Sequence, residues 1–139
     1  MGFTFKLDRS RFGKWLKQDN PGGVLTFVHA GSKSALQFSH AKYTGQKVLD
    51  FSPELLIRLA SNGIEKVRAP KQRLGGSGEC DFGTFGTVVL KGGEPVHYQA
   101  WALTNGRDEV IYVTHVCSVE PDAQEAAEAH QIAMRTSYV

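Results

Sequence analysis

The segment PVHYQAWALTNGRDEVIYVTHVCS, residues 95–118, restricts the architecture more than any other part of the chain. It holds two runs rich in aromatic and β-branched residues, which suit a pleated, half-buried surface. Between them lies Asn105-Gly106, a pair that tolerates the positive φ angles of a tight hairpin turn. Upstream, TFGTVVLKGG (84–93) reaches the first of these runs through KGGE. Connections this short force antiparallel neighbours, because a parallel crossover needs about a dozen residues or more. Strands are therefore predicted over 84–93, 95–106 and 109–118, as a meander.

The remaining elements follow from periodicity and punctuation. VLTFVHAG (24–31) and SALQFSHAKY (34–43) read as two strands joined by AGSK, and FTFKLD (3–8) as a short one. In RSRFGKWLKQDN (9–20), Phe12, Trp15 and Leu16 fall at helical spacing, and NPGG (20–23) is a turn. FSPELLIRLASNGI (51–64) carries helix signals at both ends. Ser52 suits the N-cap and Pro53 the first helical position, and Gly63 suits a left-handed ending, with Ile64 folding back on Leu59. PDAQEAAEAHQIAMRTSYV (121–139) reads as a terminal helix whose Ala126, Ala129 and Ala133 allow close approach to a sheet. The chain is thus expected to be a single α+β domain over 1–139, an antiparallel sheet of five or more strands packed between helices. Leu55, Leu59, Trp101, Ile111 and Val113 are expected to be buried together.

Composition narrows the function classes. With 41% hydrophobic and 22% charged residues the chain is of ordinary globular make-up. A net charge of +2 is too mild to mark a nucleic-acid binder. No apolar run approaches the roughly 20 residues that span a bilayer, so no membrane insertion is expected. MGFTFKLDRSRF lacks the apolar core of a secretion signal, which makes the cytoplasm the expected compartment. Two cysteines, Cys80 and Cys117, are too few for a disulfide framework and read as reduced thiols.

Three patterns could carry chemistry. RLGGSGECDFGTFG (73–86) is glycine-rich enough to suggest a phosphate cradle. Such a cradle needs a following helix N-terminus or a Gly-Lys-Ser/Thr run, and here a strand follows, so the stretch reads as a mobile connection or a bulged way into that strand. Cys80 could serve as a nucleophile only with a lowered pKa and a nearby base; Asp81 beside it works in the opposite direction. His115 and Cys117 alternate on one strand and share a face, as metal ligands could. Zinc would want two more ligands, for which Cys80 and His97 are the available residues, while Ile111 and Val113 on that same face favour a packed core. No catalytic constellation, cofactor or metal is expected.

Two basic groups remain, Arg9, Arg11, Lys14 and Lys17 around Phe12 and Trp15, and Lys66, Arg68, Lys71 and Arg73 before the glycine-rich stretch. Asp8, Asp19 and Glu65 dilute both. A solvated face is the plain reading, and an acidic protein partner is the functional one, since arginine and large aromatics anchor interfaces. The candidate partner-binding residues are Arg11, Trp15, Arg68, Arg73, Phe82 and Phe85.

From residue 48 on, the order of FSPELLIRLASNGI, a glycine-bearing break, HYQAWALTNGRDEVIYVTHVCS and EAAEAHQIAMRTSYV resembles the PsbP-like superfamily, which includes bacterial DcrB-like proteins. The resemblance implies a PsbP-like α/β sandwich and a non-enzymatic binding role. It points to a bacterial toxin-immunity protein that blocks an effector, with type VI secretion as the setting. A secretion chaperone or adaptor is the next reading, and a small hydrolase or transferase using Cys80 the alternative from another class.

Overall fold

The computed structural model describes residues 5–6, 13–18, 24–42 and 51–138. In chain order the elements are β1 (Phe5–Lys6), β2 (Trp15–Gln18), β3 (Leu25–His29), β4 (Ala35–Lys42), α1 (Pro53–Ala60), β5 (Gln72–Glu79), β6 (Thr84–Lys91), β7 (His97–Thr104), β8 (Glu109–Cys117), α2 (Ala123–Met134) and β9 (Ser137–Tyr138). A short 3₁₀ helix, Ser61–Lys66, continues α1. β1 and β9 form a small antiparallel pair. The other seven strands form one antiparallel sheet in the order β2-β3-β4-β8-β7-β6-β5.

The meander over β6, β7 and β8 stands as the sequence predicts, and β4 closes against β8 over its whole length. Alternation along the strands then sorts residues onto two faces. One face carries Trp101, Leu103, Ile111 and Val113, and α2 covers it with Ala129, Ile132 and Ala133. The other carries Val88, Leu90, Tyr98, Ala100, Ala102 and Val110, and α1 covers it with Leu56 and Ala60. The expected single cluster is therefore two. Leu59 packs at the edge of the α1 layer, and Trp101, Ile111 and Val113 lie on the opposite side of the sheet.

Ser52 caps α1 as expected, its hydroxyl accepting from the Leu55 N–H at 3.2 Å. Two glycines act through close approach. A Cβ on Gly86 would lie 2.5 Å from the Ile57 nitrogen, so only glycine lets the α1 backbone settle on β6. Gly63 does not end α1 in a left-handed turn: Ser61 is the C-cap in right-handed conformation and the 3₁₀ helix follows. Gly63 is small because a Cβ there would meet the Tyr98 hydroxyl at 2.6 Å.

Two further expectations are corrected. Trp15 and Leu16 belong to a strand, not a helix, and Trp15 is 4% exposed beneath the sheet edge. There the indole meets His29 edge-on with ring centroids 4.9 Å apart, and pairing of β2 with β3 overrides the helical spacing. The glycine-rich stretch is also mostly strand, with only residues 80–83 left as a connection. Residues 72–79 pair in continuous register with β6 and form the outermost strand, β5. Of the expected strand over 3–8 only Phe5–Lys6 is described, and it is a strand; residues 9–12, 19 and 20 lie outside the described residues.

Candidate functional site

The densest polar chemistry in the described residues is buried beneath α2. His115 and Cys117 point to the α2 face of β8, as their alternation requires. Glu125 comes from the first turn of α2, three residues after the N-cap Asp122, whose carboxylate accepts the Glu125 N–H at 2.7 Å. A glutamate there often reaches back to its own N-cap. Here the side chain turns inward instead and is 3% exposed. The β3–β4 turn adds Ser32 and Ser34.

All of these donors converge on one carboxylate. Ser32 Oγ donates to Glu125 Oε1 at 2.6 Å and Ser34 Oγ to Oε2 at 2.5 Å. His115 Nε2 lies 2.8 Å from Oε2, and Cys117 Sγ 3.7 Å from the same oxygen. Burial pushes the Glu125 carboxyl up, and the hydrogen bonds from Ser32, Ser34 and His115 outweigh it, holding the carboxyl below its usual range. Burial lowers His115 against the opposing pull of Glu125. The pair is thus a neutral imidazole donating to a charged carboxylate. Nδ1 of His29 accepts the N–H groups of Gly31 and Ser32 and lies 3.6 Å from Glu125 Oε1.

The cluster has the composition of a Cys-His-Glu relay without its geometry. In such a relay the two imidazole nitrogens face opposite ways, one to the nucleophile and one to the acid. Here Nε2 of His115 faces both, with Cys117 Sγ at 3.3 Å and Glu125 at 2.8 Å, while Nδ1 has no hydrogen-bond partner. Cys117 is fully buried, and burial, with Glu125 beside it, pushes its thiol up to about 12. His97, the cross-strand neighbour of Cys117, is also buried, and neither of its ring nitrogens has a hydrogen-bond partner. Its ring centroid is 5.5 Å from that of His115.

Cys80 lies apart from this cluster. It is half-buried after β5, and burial raises its thiol, with Asp81 adding to the effect. Among the described residues no histidine hydrogen-bonds it. Of the two extra ligands considered with His115 and Cys117, His97 is beside them and Cys80 is not.

The predicted partner-binding residues divide. Arg11 lies outside the described residues. Trp15 is buried and cannot anchor a partner in this state. Phe82 and Phe85 are half-buried and pack on the α2-side core, which explains why aromatics occur there without being displayed. Arg68 and Arg73 are exposed. Arg68 pairs with Glu94 at 3.1 Å across solvent, and Arg73 donates to Ser61 Oγ at 3.3 Å. Arg73 belongs to β5, the edge strand of the sheet among the described residues, with seven of its eight residues exposed and no charge between Leu74 and Gly78. Beside its end a cavity of about 250 Å³ opens between Phe51, Pro53, Leu56, Gly78 and Phe85.

The whole arrangement, seven antiparallel strands between two helices, is a PsbP-like α+β sandwich. It is similar to the solution structure of cyanobacterial PsbP (CyanoP) from Synechocystis sp. PCC 6803, with a TM-score of 0.61 over 99% of this chain and 93% of that one. The likeness includes the N-terminal third, beyond the residues on which the sequence resemblance rests. Identity is 15%, so the likeness is one of fold. No family model and no curated protein matches the sequence.

Proposed function

We propose that the protein is a non-enzymatic binding module that takes an extended segment of a protein partner along β5. The observation that carries this reading is the edge itself. An unpaired strand edge is a template for another chain, and folded proteins blunt such edges with charge, proline, bulges or covering elements. The central residues Leu74–Gly78 have none of the charged side chains or prolines that would do so. Leu74 is 47% exposed, and the glycines around it leave the backbone open.

Strand addition would supply main-chain hydrogen bonds, and side pockets would supply specificity. The cavity beside Gly78 and Phe85 suits an apolar side chain of the added segment. Arg73, with Lys71 just outside the strand, suits a carboxylate at the other end. In this reading Phe85 contributes as a pocket wall, and the partner segment is extended, partly apolar and acidic at one end.

A toxin-blocking immunity protein is the specific form of this role that we carry forward. An effector chaperone would use the same edge but would preserve its partner's activity. A sealed Cys117 and a raised Cys80 thiol weigh against the hydrolase alternative.

The test is binding of an isolated partner to wild-type protein and to an Arg73→Ala, Leu74→Ala double variant with unchanged circular dichroism. Loss of these anchors should weaken binding at least about 30-fold, the equivalent of about 2 kcal/mol. Undiminished affinity would place the interface elsewhere. Assaying the partner's toxicity in the bound state separates immunity from chaperoning.

A further inference from the structure

We infer that His115, Cys117 and Glu125 form a buried binding site for a zinc-like divalent transition metal. His115 Nε2, Cys117 Sγ and Glu125 Oε2 all lie within 4.8 Å of one another, and all three residues are buried. Their separations are 2.8 Å for nitrogen to oxygen, 3.3 Å for sulfur to nitrogen and 3.7 Å for sulfur to oxygen. Zinc bonded at its usual lengths and at tetrahedral angles would hold such atoms about 3.3–3.6 Å apart. The sulfur–nitrogen distance falls in this range and the sulfur–oxygen distance just beyond it, so the nitrogen–oxygen pair is the one that would have to open.

A second observation points the same way. His97 is 3% exposed and is the direct cross-strand neighbour of Cys117, yet both of its ring nitrogens are without a hydrogen-bond partner. Buried polar groups are nearly always paired, so an unpaired imidazole beside three potential ligands is an unmet requirement. Its ring centroid lies 5.5 Å from that of His115, so it stands next to the three ligands and not among them.

The donor set selects the metal. One thiolate, imidazole and one carboxylate suit zinc and its neighbours, whereas calcium and magnesium are held by oxygen. A bound divalent ion would also balance the two anions of the site, the Glu125 carboxylate and the Cys117 thiolate. On binding, the Cys117 thiol gives its proton to solvent, and the His115 ring proton passes from Nε2 to Nδ1. The ligands stand on β8 and the first turn of α2, so the ion would fasten that helix to the sheet. Enclosure makes the role structural, and binding would accompany folding.

The experiment refolds the full chain from denaturant with and without zinc, removes excess metal and counts bound ions by elemental analysis. One zinc per chain is expected. Cobalt(II) in its place should give a thiolate-to-cobalt charge-transfer band that persists in Cys80→Ser and is absent in Cys117→Ser. Glu125→Gln should weaken zinc binding by more than the roughly 10–100-fold that follows loss of a group merely hydrogen-bonded to a ligand. If Cys117→Ser or Glu125→Gln fails to fold, the wild-type and Cys80→Ser spectra still decide. A folded wild type that retains no zinc overturns the inference. So does a cobalt complex without a thiolate band, or one whose band is lost with Cys80.

Discussion

His115 Nε2 lies 2.8 Å from Glu125 Oε2, and both groups are buried where β8 passes under the first turn of α2. Ten residues separate them in the chain, and this contact ties the first turn of the terminal helix to β8. Removing the Glu125 side chain deprives Ser32, Ser34 and His115 of the carboxylate to which they donate. Glu125→Ala should cost about 3 kcal/mol or more, since hydrogen bonds to a charged group are each worth about 1.5–3 kcal/mol and the orphaned Ser32, Ser34 and His115 add desolvation costs. Urea unfolding measures it. A loss under about 1 kcal/mol would mean that the carboxylate is not the hub of the cluster.

How α1 seats on the sheet gives a contrasting pair. Leu56 is 1% exposed, so Leu56→Ala should cost about 2–5 kcal/mol, and half-buried Leu59→Ala clearly less. Gly86→Ala should cost about 1–3 kcal/mol or more, because the new methyl meets α1 backbone that cannot give way. A Cβ at Gly13 meets nothing, so Gly13→Ala should stay within about 0.5 kcal/mol. Equal effects of the two glycine substitutions would contradict the packing described.

The contrast between Leu56 and Leu59 shows what the sequence makes legible. Alternation, Asn105-Gly106 and short connections define the β6–β8 meander, and Ser52-Pro53 marks the start of α1, because those signals are local. The sequence offers Leu55, Leu56 and Leu59 as the apolar stripe of α1, and only docking through Gly86 decides which of these leucines faces the sheet. Three glycines in β5 imitate a loop, and the pairing with β6 that makes them a strand is not local. His115 and Cys117 could be placed together by alternation alone. Glu125 could not be added to them: its position suggests a helix cap, and its inward turn depends on the β4–β8 pairing that brings Ser32 and Ser34 beneath α2.

Acid should loosen the α2 layer through His130. Trp101 Nε1 donates to His130 Nδ1 at 3.2 Å, a bond that only the neutral ring can accept. Burial holds His130 below its ordinary 6.5. The unfolded chain therefore takes up a proton first as pH falls. The stabilisation is fully present above pH 6.5 and is lost as pH drops through the lowered folded value. Unfolding free energies measured between neutral and mildly acidic pH should fall, and less steeply in His130→Gln. An identical slope in the variant would remove His130 from the account.

The two thiols should both be poor nucleophiles, for different reasons. Cys117 is sealed and should react with a disulfide reagent only after unfolding. Cys80 is half-buried with a raised pKa, so it should react no faster than a free cysteine at neutral pH. Rapid labelling of Cys80 in the native protein would restore the thiol-enzyme alternative.

If β5 receives the partner, its backbone amides report it through hydrogen exchange. In the free protein, the amides of Gln72–Glu79 that face away from β6 should exchange quickly, as exposed edge groups do. On saturation with an isolated partner they should slow by about tenfold or more, while exposed amides of α2 remain unchanged. Protection confined to α2 or to the β3–β4 turn, with the β5 amides as fast as before, would contradict the account.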